Sequence, residues 1–137
     1  GVLTAWIVGH TERFRAAVSA KPVINWYSFV LTADAYGFFS KYWFPGKPWD
    51  HLEHYMQRSP ISYVKNVRTP TMLITGEADL RTPISESEQY YQALKLLGVP
   101  TALVRIPGAS HAINQRPSQM IGQVLQTSAW FERHRQR

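Results

Sequence analysis

An aspartate and a histidine stand 32 residues apart in two short loops. Asp79 lies in Gly76-Glu77-Ala78-Asp79-Leu80-Arg81-Thr82-Pro83, and His111 in Pro107-Gly108-Ala109-Ser110-His111-Ala112. A carboxylate beside an imidazole has a definite chemical use. It fixes the ring tautomer and stabilises the imidazolium, while the second ring nitrogen takes a proton from a hydroxyl. The chain has no cysteine, so no thiol competes as nucleophile, and it contains no G-x-S-x-G motif. Ser19, Ser85 and Ser87 fall in strand or cap contexts, and Ser110 abuts the histidine too closely to form a nucleophile turn. None is assigned as the nucleophile.

Both loops follow apolar runs. Residues 71–75, opened by Pro70 and stopped by Gly76, read as a buried strand of a parallel sheet covered on both faces. Residues 102–106, closed by Pro107-Gly108, read as the next strand. Between them, Ser85-Glu86-Ser87-Glu88 matches a capping box, Tyr90, Leu94 and Leu97 recur at helical spacing, and Gly98 supplies a C-terminal cap. A last helix opens near Pro117 with Met120, Ile121, Val124, Leu125, Ser128 and Phe131 on one face. Upstream, residues 2–8 read as a buried helix ended by Gly9 and residues 14–20 as a buried strand, while residues 26–63 read as short helical pieces and loops covering a site. Strand alternating with helix means right-handed crossovers and a parallel sheet with helices on both faces, the α/β class. In such sheets function collects at the C-terminal ends of the strands, where Asp79 and His111 both stand. Neighbouring parallel strands lie about 5 Å apart, so loops of this length can join the two side chains.

The 137 residues suffice for one domain, and 45% apolar against 18% charged residues indicates a globular chain. The net charge of +6 is spread along the sequence and clusters only in Arg133-His134-Arg135-Gln136-Arg137, a solvated helix end. Pro45-Gly46 interrupts the basic and aromatic residues of 41–47, which excludes a regular nucleic-acid stacking platform. No apolar run reaches the roughly 20 residues of a membrane span. The absence of cysteine fits a reducing, cytoplasmic compartment. His51-Leu52-Glu53-His54 meets neither known helical zinc spacing and reads as a solvated face. Trp26 and Tyr27 follow the first strand, where they either line a pocket for an apolar substrate side chain or fill the core. Arg81 reads as a surface cation or a partner of Glu77.

The run Ile74-Thr75-Gly76-Glu77-Ala78-Asp79-Leu80-Arg81-Thr82-Pro83 resembles the G-x-x-D-x-R-V-P acid loop of the prolyl oligopeptidase family. Leu96-Leu97-Gly98-Val99-Pro100 followed by Pro107-Gly108-Ala109-Ser110-His111 is similar to that family's approach to its catalytic histidine. Residues 16–27, AAVSAKPVINWY, look closest to the acylaminoacyl-peptidase and dipeptidyl-peptidase branches. Gly1-Val2-Leu3-Thr4 resembles the segment just behind the family's nucleophile elbow, G-x-S-x-G-G. Thr82 stands where the family usually has Val, and Ala112 follows the histidine where Gly is common.

The resemblance implies that residues 1–137 are the C-terminal part of an α/β-hydrolase catalytic domain, starting just after the elbow, in a serine peptidase acting on short peptides. It implies Asp79 and His111 as acid and base of a Ser-Asp-His triad whose serine lies upstream, no metal or cofactor, and Arg81 donating to a substrate carbonyl. The alternatives are an esterase on the same fold, and an inactive fragment acting only through self-association. As an isolated piece the chain is expected to pair with the missing N-terminal part of its domain or with copies of itself.

Overall fold

The computed structural model describes residues 1–135. Three apolar runs form one parallel sheet of β1 (Ala17–Ala20), β2 (Thr71–Gly76) and β3 (Thr101–Ile106), in that order. The central strand β2 is buried along its whole length, as two covered faces and two paired edges require. The helices are α1 (Val2–Val8), α2 (Trp26–Thr32), α3 (Tyr36–Tyr42), α4 (Leu52–Gln57), α5 (Ile84–Leu96) and α6 (Pro117–Arg133), with a 3₁₀ helix at Pro60–Asn66.

Because successive strand residues point to opposite faces, the sheet divides its side chains between two cores. Ala17, Leu73 and Leu103 pack with Ala5 and Val8 of α1 and with Tyr90 and Leu94 of α5. The Tyr90 hydroxyl donates to the Ala5 carbonyl across this core at 3.1 Å, and burial pushes its pKa up. Val18, Ile74, Val104 and Ile106 face the other way, where Ala109 and Ile113 join them and α6 crosses the sheet. Helix α5 ends as its Gly98 suggested. Gly98 takes the left-handed conformation (φ +70°), its amide donates to Lys95 O, and the Val99 amide donates to Leu94 O.

Three expectations change. The first strand begins at Ala17 rather than Phe14, whose side chain is exposed. The capping box does not form: α5 starts two residues early, at Ile84 with Pro83 rather than Ser85 as N-cap, and no side chain caps it. Both acidic residues are drawn elsewhere, Glu88 to Arg105 and Glu86 to the loop after β1. Finally, the apolar stripe of α6 is uncovered. Met120, Ile121, Val124 and Leu125 are at least half exposed, and within this helix only Gln119 and Trp130 are buried. Periodicity identifies an apolar face but not what covers it. The outer edge of β1 has no strand partner among the described residues. Beside that edge runs a slot of about 240 Å³ lined by Ile7, Val8, Ala17, Val18 and Phe131.

Gly76 ends β2 where a Cβ would collide with the Ala109 backbone carbonyl of the loop after β3. Gly76→Ala in the full-length protein is therefore expected to cost about 1–3 kcal/mol through forced displacement. Denaturant unfolding measures this, and an unchanged midpoint would contradict the close approach.

Candidate active site

The register places Gly76 opposite Ile106, so the loops after β2 and β3 leave the sheet at the same level on adjacent strands. Asp79 turns back on its own loop. Its Oδ1 accepts the amides of Arg81 (2.9 Å) and Thr82 (2.8 Å), the local pattern that makes Asp a turn residue. Oδ2 accepts the Thr82 hydroxyl at 3.1 Å and lies 2.8 Å from Nδ1 of His111. The Asp79 side chain is fully buried, whereas that of His111 is 43% exposed. With Nδ1 directed at the carboxylate, Nε2 is the nitrogen left to meet an incoming hydroxyl. The expected Asp79–His111 contact thus forms within ordinary hydrogen-bond reach.

The histidine loop is pinned beyond the ring. Ile113 has φ +53°, a costly conformation for a β-branched residue, and its side chain is buried against Ile74, Ile106 and Ala109. The Ala78 amide donates to Ala109 O at 3.0 Å, tying the two loops together. Arg105 adds an outer brace between Glu77 and Glu88, and these carboxylates raise its pKa further.

Arg81 does not pair with Glu77. Its Nε donates to Asp34 Oδ1 at 2.8 Å, and the Asp34 amide donates to Leu80 O, so the end of α2 is joined to the acid loop. The guanidinium holds the Asp34 carboxyl below the usual carboxylate range, and half of the Arg81 side chain stays exposed. Trp26 is built into the aromatic packing around α2. It packs edge-on against Phe29 and Trp43, donates Nε1–H to Arg58 O, and also lines an apolar groove with Val2, Leu3 and Phe44. Neither Asp79 nor His111 borders that groove. Tyr27 is half-buried, with its ring edge-on to Tyr55.

Sequence reasoning missed Glu86. This buried carboxylate accepts the amides of Ile24 (3.0 Å) and Asn25 (2.9 Å), the Ser28 hydroxyl (2.6 Å) and the Gln89 amide (3.0 Å). Asn25 in turn caps α2 by accepting the Tyr27 amide. Spacing held the clue, because Glu86 precedes the buried Tyr90 and Leu94 by four and eight residues on the same helix face. Asp34 had no such signal. Ser19 and Ser87 are buried and bonded to Gly1 O and Thr75. Among the described residues no group of three or more His, Cys, Asp or Glu could hold a metal ion, and no helix is long and apolar enough to cross a membrane. Of the basic tail, Gln136 and Arg137 lie outside the described residues.

The whole arrangement superposes on the Pyrococcus horikoshii acylaminoacyl peptidase with a TM-score of 0.90 at 27% identity, over 96% of this chain and 22% of that one. A parallel sheet with helices on both faces, matched to this neighbour, makes this an α/β-hydrolase fold. More narrowly, residues 1–137 match the prolyl oligopeptidase family throughout, and the chain belongs to that family of serine peptidases. Its sequence is 40% identical to the uncharacterized peptidase YuxL of Bacillus subtilis over 136 residues, 98% of this chain and 21% of that protein. It is 35% identical to the acylamino-acid-releasing enzyme of Arabidopsis thaliana over 143 residues, again 98% of this chain but 18% of the relative. The chain thus spans about a fifth of the length of these proteins.

Replacing Glu86 by Leu strands two backbone amides and two side-chain donors. The expected loss is about 3 kcal/mol or more, with a smaller loss for Glu86→Gln, which keeps an acceptor oxygen. Denaturation midpoints of the two variants in the full-length protein test this ranking.

Proposed function

We propose that residues 1–137 supply the acid and the base of a serine peptidase active site that removes or cuts short, N-acylated peptides. The nucleophilic serine would come from a G-x-S-x-G turn encoded directly before Gly1. The contact between Asp79 Oδ2 and His111 Nδ1, at the ends of adjacent strands, carries this reading. His111 Nε2 takes the serine proton as the hydroxyl attacks the scissile carbonyl. The same nitrogen returns that proton to the leaving amine, and a water repeats the cycle on the acyl-enzyme. Asp79 holds the ring and offsets the charge of the imidazolium. Arg81, half exposed at the rim of the acid loop and steadied by Asp34, donates from its free guanidinium nitrogens to a substrate carbonyl. Trp26 and Tyr27 form part of the wall facing an apolar substrate side chain. The acyl-peptide preference follows the acylaminoacyl peptidase and acylamino-acid-releasing enzyme among the relatives. No metal or organic cofactor enters this chemistry.

The full-length protein should cleave acylated peptides faster than short-chain esters and should label with a serine-directed fluorophosphonate. Asp79→Asn should lower kcat on the order of 10⁴-fold, and His111→Ala on the order of 10⁶-fold. Near-normal turnover by either variant would reject the assignment, and an ester preference would move the protein to the esterases.

The outer edge of β1, the slot beside it and the bare stripe of α6 together favour a missing neighbour, the strand that leads to the serine. Residues 1–137 alone should therefore self-associate and show only background turnover. Light scattering at low concentration checks this, and a stable monomer that reacts with the fluorophosphonate would refute it.

A further inference from the structure

We infer that the Thr82 hydroxyl is a positioning group for the Asp79–His111 pair and tunes how strongly the carboxylate holds the imidazolium. This rests on the catalytic reading of that pair. Thr82 is 7% exposed and grips the carboxylate at both ends, its amide on Oδ1 at 2.8 Å and its hydroxyl on Oδ2 at 3.1 Å. The same hydroxyl oxygen lies 3.2 Å from Nδ1 of His111. A hydroxyl has one proton to give, and the anionic Oδ2 takes it. Its lone pairs then face Nδ1–H, which shares its proton between Oδ2 and Oγ1.

Two consequences follow. The carboxylate cannot swing away from the ring, because four donors fix both its oxygens. And part of the negative charge of Oδ2 is spent on the hydroxyl, so Thr82 shares the carboxylate with the ring. The valine usual at this position in the acid-loop pattern has nearly the same shape and lacks the hydroxyl. The ring is also within electrostatic reach of the Asp34 carboxylate, which pairs with Arg81.

The test uses the full-length protein with Thr82→Val, Thr82→Ser and Asp79→Asn, assayed on an acylated peptide. Losing the hydroxyl removes one donor from Oδ2 and the second acceptor beside Nδ1, so the pair is held less firmly. In Thr82→Val, kcat should fall roughly 3- to 10-fold, with KM within about twofold. Thr82→Ser should restore kcat, which a purely structural methyl contact would not achieve. A valine variant with unchanged kcat, beside an Asp79→Asn enzyme that has collapsed, overturns the role of Thr82 alone. An active Asp79→Asn enzyme overturns the pair itself.

Discussion

One buried carboxylate sets the terms for the rest of this structure. Asp79 has no exposed side-chain surface, and an isolated charge in such a place would be neutralised or expelled. It stays because its loop folds two amides and a hydroxyl onto it, and a neighbouring strand delivers an imidazole to the remaining position. That delivery depends on register. Gly76 opposite Ile106 makes the two loops depart side by side, and a slip of one residue would turn every side chain of β3 to the wrong face.

The second buried carboxylate, Glu86, lies seven residues further along the same segment and solves the same problem with neutral donors only. Its four partners come from the loop after β1, from α2 and from its own helix. The stretch from Asp79 to Glu86 is thereby fastened to β3 at one end and to the β1–α2 connection at the other. Asp34 and Arg81 add a third link, but both are exposed, so this pair orients the arginine more than it stabilises the fold. Asp79, His111 and the start of α2 are thus joined by one hydrogen-bonded network.

Much of this was legible in the residues. Pro70 and Gly76 bracket β2, Gly98 closes α5 in the conformation that only glycine enters freely, and Asp79 and His111 follow strands as chemistry requires. The capping box was misread because a local motif competes with tertiary partners, and Arg105 offers Glu88 a better contact than an amide does. The α6 stripe was recognised as apolar, but a helical period carries no record of what lies against it. Thr82 stood out as a departure from the family's usual valine, yet the value of its hydroxyl depends on where His111 sits, and only the fold supplies that.

The geometry also explains why the histidine loop must lean. A hydroxyl delivered by a strand on the outer edge of β1 would stand three strand spacings from β3, about 14 Å. His111 lies five residues past Ile106, enough for at most about 16–18 Å of extended chain. A loop rising straight from β3 would leave the imidazole over its own strand, beside Asp79 and remote from such a hydroxyl. The observed loop instead crosses back over β2: the Ala109 carbonyl sits against Gly76 and accepts the Ala78 amide, and Ile113 bears a strained backbone to bury its side chain beside Ile74. That lean requires an end to β2 with no side chain, which Gly76 provides. Gly76 is therefore as much a part of positioning the imidazole as the aspartate three residues later.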